Sequence, residues 1–129
     1  MFKSTFKCQI YDQFSFKLFL GTMEEINIQC EKDRYGPLSE TGIAKFAADI
    51  NEGSFYFVTD FLLEPWIISH ECNHCAMWMF EQMDQNILYH DHTYIYLHDW
   101  LVKVVTMKFR KHFEKEKSIK PNHIIIYVV

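Results

Sequence analysis

Two histidines and a glutamate stand at His70, Glu71 and His74, in the spacing H-E-x-x-H. On a helix, residues four apart lie one turn above each other on the same face. His70 and His74 would then offer two imidazole nitrogens to one point, as a zinc ion requires. Glu71 is one step round such a helix. From there it can reach a water on the metal rather than the metal itself, which is the place of a general base in metal-assisted hydrolysis.

A hydrolytic zinc takes three protein ligands and keeps one position open. In one known spacing a glycine and a third histidine follow the second motif histidine, but Met77 and Phe80 occupy those positions here. The next donor atoms are at His90-Asp91-His92, with His98 and Asp99 two turns on. His92 is the first candidate for third ligand, Asp91 the second and His90 the third. His92, Tyr96 and Asp99 share one helical face. Tyr96 is the candidate to stabilise an oxyanion, and Asp99 to act as an outer acceptor.

Cys72 and Cys75 form C-x-x-C inside the same stretch. A redox pair of this type opens a helix, where the N-terminus lowers the first thiol's pKa. Apolar residues precede this pair by a full turn, and no second C-x-x-C completes a four-cysteine zinc site. On a helical wheel Cys72 falls beside Ala76 and Met79, away from the histidines, and so reads as core. Cys75 is closer to Glu71 and stays a minor ligand candidate. Met77 to Phe80 read as helix core, and His98, His112 and His123 as surface or internally satisfied histidines. There is no Gly-rich phosphate loop and no serine nucleophile elbow.

The elements that must position these residues can be read from periodicity. Phe6, Cys8 and Ile10 alternate with polar residues, as do Phe14, Phe16, Leu18 and Leu20, and then Ile26, Ile28 and Cys30. Period two predicts half-buried strands. Residues 33–42 read as a loop. Ala44 to Ile50 and Ser54 to Thr59 read as a hairpin with Gly53 in a left-handed turn position, a helix over 41–50 being the competing reading. Pro65 is suited to a first helical turn, so the motif helix is expected over about 65–85. A second helix is expected over about 92–117 and a final strand over about 123–129. The sum is one α+β domain over 1–129: strands in 1–60, a small antiparallel or mixed sheet, and two principal helices.

Composition agrees with a packed domain. Of 129 residues 49% are hydrophobic and 17% aromatic, which supports a core and argues against disorder. Net charge is −4, so no basic excess points to nucleic acid. No stretch is apolar enough to span a membrane, and the first residues lack the apolar run of a signal peptide. A cytoplasmic setting with reduced cysteines is expected.

The run from Trp66 to Ala76, followed by an acidic and histidine-bearing loop and an amphipathic helix, resembles the zincin metallopeptidases. It is similar to small metallopeptidase-like proteins encoded by bacteriophages and to the SprT-type minimal zincins. The resemblance covers roughly residues 42–110 and is specific at the motif alone. It implies a minimal zincin fold, Zn2+ as cofactor, His70 and His74 as ligands, His92 as the matching third ligand and Glu71 as catalytic base. The phage-type pattern has an acidic residue near His92, a departure in this chain. The implied activity is peptide-bond hydrolysis on a peptide or protein, in a host cytoplasm if the source is viral. A substrate could add as a strand to Ser54–Thr59. The rival expectation is a non-catalytic zincin-fold binding protein.

Overall fold

The computed structural model describes residues 1–38, 42–61 and 63–115. The final strand expected near 123–129 lies outside them. The chain divides into two compact units, Met1–Phe61 and Leu62–Val129. The elements are β1 (Phe2–Lys7), β2 (Ser15–Gly21), α1 (Met23–Lys32), β3 (Ala44–Asp49), β4 (Glu52–Val58), α2 (Pro65–Gln82) and α3 (Asp91–Lys115). This is a small α+β fold.

The first unit is a mixed four-stranded sheet in the order β1-β2-β4-β3. β1 and β3 run antiparallel to their neighbours, and β2 and β4 pair in parallel. Register places Phe16, Leu18 and Leu20 beside Gly53, Phe55 and Phe57 on one face. There the rings of Phe6, Phe16, Phe46 and Phe55 stand 5.0–6.4 Å apart. On the opposite face Phe19, Tyr56 and Val58 pack with Ile26 and Cys30 of α1.

Four expectations are corrected. First, Ile26 to Cys30 belong to a helix. The spacing of Ile26 and Cys30 is also one helical turn, and both are fully buried, while Ile28 between them is 60% exposed. A capping box drives the choice. The Thr22 hydroxyl accepts from the Glu25 backbone N–H at 3.2 Å, and Glu25 accepts from the Thr22 N–H at 3.0 Å. Asp60 adds a carboxylate that accepts from Met23 N–H at 2.8 Å. Second, the β3–β4 turn is Ile50-Asn51, and the left-handed residue is Asn51, at φ 57°. Gly53 lies within β4 instead. A Cβ there would stand 2.8 Å from Phe46 Cε1 and 3.0 Å from Phe16 Cδ1, so glycine makes room for two rings. Third, β4 is bonded on both sides, so Ser54–Thr59 offers no edge for a substrate; among the described strands β1 and β3 are the outer ones. The first strand also ends earlier than the alternation suggested. Cys8 leaves it, and its N–H donates to the Phe14 carbonyl at 3.0 Å.

The second unit is a helical hairpin. α2 begins at Pro65, which needs no N–H partner there. It ends in a Schellman motif: Gln85 N–H reaches the Phe80 carbonyl at 2.9 Å and Asp84 N–H that of Glu81 at 3.1 Å. Asp84 takes the left-handed conformation, φ 53°, where glycine is commoner. The Asn86 side chain then accepts from Leu88 N–H at 2.8 Å and turns the chain toward α3.

Two outcomes follow for the first unit. Gly53→Val should cost about 1–3 kcal/mol in urea unfolding, since neither ring can give way cheaply; an unchanged midpoint would contradict the packing. The Glu25 carboxyl is held below its ordinary range, first by the Thr22 N–H and then by the N-terminal ammonium. A group with a depressed folded pKa stabilises the fold above its unfolded value and loses that contribution as pH falls through the folded one. Glu25→Gln should therefore lower stability at neutral pH and leave it unchanged below the acid range.

Candidate metal pair on the second unit

The H-E-x-x-H stretch lies wholly inside α2. His70 and His74 are exposed and their Nε2 atoms are 3.1 Å apart, the ring planes at 81°. One ring can donate to the other in this arrangement. The same two nitrogens fit a metal: two ligands about 2.05 Å from a tetrahedral zinc are about 3.3 Å apart. The donor type and spacing therefore suit a borderline cation, with metal competing against one shared proton.

What fixes this face outward is the seam between α2 and α3. The Tyr94 hydroxyl donates to the Asn73 side-chain carbonyl and sits 3.3 Å from the Asn73 backbone oxygen. The Tyr94 ring meets Phe80 edge-on at 5.2 Å. One turn along α3, His98 Nε2 is 3.1 Å from the Ser69 carbonyl and 3.3 Å from its hydroxyl. Residues 69, 73, 76 and 80 thus form the seam, and His70 and His74 fall about 100–140° round from Ser69 at 100° per residue.

Glu71 is on the inner side, 8% exposed, among Ile67, Ile68, Cys72 and Cys75. It lies about 60° round the helix from His74. It is buried, whereas the two histidines are exposed.

The other expected site residues stand apart. Tyr94 and His98 turn toward α2, which puts His92 and Tyr96 about 120–160° away, off the seam face of α3. Both are exposed, Tyr96 at 64%. Asp91 opens the helix and accepts from His92 N–H at 2.8 Å; His90 precedes it, exposed. Among the described residues no three His, Cys, Asp or Glu side chains are grouped to hold a metal. The structure brings His70 and His74 together and does not bring His92, Asp91 or His90 to them.

Ser69, His98 and Asp99 carry the residue types of a hydrolytic triad, but their geometry serves another purpose. A ring nitrogen 3.1 Å from a backbone carbonyl must carry the hydrogen, so His98 Nε2 donates and cannot take a proton from Ser69. Asp99 is 3.8 Å from His98 Nδ1, beyond hydrogen-bond reach. His98 is a clamp between helices. Sequence reasoning left it an ordinary histidine; the signal was its four-residue spacing from Tyr94, which gives one polar stripe along α3.

The four cysteines are buried and none is in a disulfide. Burial pushes the Cys72 thiol far up, with the Glu71 charge acting in the same direction. Cys75 packs near Met79 sulfur at 4.0 Å. The C-x-x-C spacing is therefore a core feature. Set against protein-family models, curated proteins and solved structures, the chain matches none.

Two measurements check this geometry. Cys72 and Cys75 should resist alkylation at neutral pH in the folded protein and react once it is unfolded, because the thiolate is the nucleophile; rapid native labelling of either would contradict the burial. Tyr94→Phe and His98→Ala should each lower unfolding stability by about 1 kcal/mol, and an unperturbed His98→Ala variant would argue against the clamp.

Proposed function

We propose that the protein binds zinc through His70 and His74 and acts as a zinc-dependent peptidase. The observation that carries the reading is the exposed Nε2 pair, 3.1 Å apart on consecutive turns of α2. Glu71, next to His70 in the H-E-x-x-H spacing, supports hydrolysis as the use of the metal. A zinc ion at the pair would supply Lewis acidity and lower the pKa of a nearby water. Glu71 would take the proton from the attacking water and pass it to the leaving amine.

A second reading has its own support. His92 and Tyr96 lie off the seam face of α3, which leaves the pair without the third ligand and oxyanion donor expected for catalysis. A zinc-binding module that docks on another protein without cutting it needs neither.

The test is zinc content after supply of the metal, in the native protein and in His70→Ala, His74→Ala and His92→Ala. Zinc at about one per chain, lost in the first two variants, is expected for the site. Loss in His92→Ala as well would assign the third ligand. Proteolysis by the zinc-loaded protein that Glu71→Gln abolishes, by about a hundredfold or more, is expected for the peptidase. Zinc binding with Glu71→Gln fully active would favour the binding module, and absence of zinc in every variant would overturn both.

A further inference from the structure

The face of α2 that carries His70 and His74 is nearly free of charge. From Pro65 to Phe80 the sequence has one charged residue, Glu71, and it is buried. Charged residues make up 23% of the chain, and the exposed face of a helix ordinarily carries them. Here the exposed stripe is Trp66, His70, His74 and Met77, which fall within about 80° of one another at 100° per residue. Trp66 is 61% and Met77 47% exposed. An apolar side chain thus stands about one turn before the histidine pair and another about one turn after it.

The pair itself is half of a metal site. Zinc takes four ligands in a tetrahedron. His70 and His74 supply two, and among the described residues no third His, Cys, Asp or Glu is grouped with them. A two-fold axis through the ion turns two ligands into four, since the same surface serves both copies. It also sets the uncharged stripe of one copy against that of the other, where two charged faces of one sign would repel.

We propose that a zinc ion at this pair is shared by two copies of the chain, each giving its His70 and His74. The proposal rests on zinc binding at the pair. The two donor pairs on a tetrahedral ion are perpendicular. Each pair runs along its own helix, so the two α2 helices cross near a right angle. Such a crossing touches over about one turn, less than the roughly 1,000 Å² of a stable interface. The ion is therefore the main bond between the copies. Four imidazoles leave no open position for water, so the paired form is closed to hydrolysis. Excess zinc gives each chain its own ion and opens the site.

The test is sedimentation velocity of the whole chain over a zinc titration, with zinc content measured in the same samples. A monomer is expected without zinc, a dimer at its maximum near about half an equivalent per chain, and monomer again in excess. A chelator should dissociate the dimer, and His74→Ala should not form it. Trp66→Glu/Met77→Glu places like charges on the facing stripes at exposed positions. It should pair about tenfold more weakly or worse, with zinc uptake in excess metal and circular dichroism unchanged. Zinc uptake by a chain that stays monomeric at half an equivalent would overturn the pairing and leave the zinc site standing. So would a dimer that forms without zinc, persists in His74→Ala or ignores the added glutamates. No zinc uptake at all would overturn both.

Discussion

The rotation of α2 about its own axis is the constraint on which the candidate site depends. Two polar contacts set it, Ser69 with His98 and Asn73 with Tyr94. They are four residues apart on both helices, so together they define a line. Once that line is fixed, 3.6 residues per turn does the rest. Ile68, Cys72, Cys75 and Met79 turn inward, Glu71 follows them, and His70 and His74 turn out. Neither contact is strong by itself, at about 1 kcal/mol. Their effect is specificity, because a slip of one residue would bury a histidine and expose an apolar side chain.

The same constraint explains the split among the expected site residues. A helix cannot present positions 92 and 96 to the surface that positions 94 and 98 already occupy. The seam took the tyrosine and histidine that pack against Phe80 and cap toward Ser69, and so His92 and Tyr96 turned off that face. In the first unit, geometry is imposed by rings instead. Tyr56 is central to α1's face: it stacks on Phe19 at 5.1 Å, and its hydroxyl donates to Asp33 at 2.6 Å, which with burial pushes the phenol far up. Asp33 also accepts from Gln29 at 3.0 Å, so the end of α1 is tied to the middle of the sheet.

Much of this was legible from the chain. Phe16, Leu18 and Leu20 alternate and form β2. Pro65 and the uninterrupted run after it mark α2, and the convergence of His70 and His74 follows from their spacing. What was not legible has physical reasons. Ile26 and Cys30 satisfy a strand and a helix equally, and the Thr22–Glu25 box, readable as T-x-x-E, was the signal that separates them. Gly53 looked like a turn residue because rings approaching from other strands leave no mark in local sequence. The pairing of Ser54–Thr59 on both sides depends on β2, which is remote in the chain. The face that α3 turns to α2 depends on which polar residues find partners there, and periodicity alone gives no origin for the angle.

The proposed function rests on His70 and His74 holding one metal ion together. Zinc-edge X-ray absorption on the zinc-loaded protein measures it most directly, by counting imidazole ligands at about 2.0 Å. At least two imidazoles are expected in the native protein and one fewer in His74→Ala. A spectrum dominated by sulfur ligands, or an imidazole count that His74→Ala leaves unchanged, would contradict it.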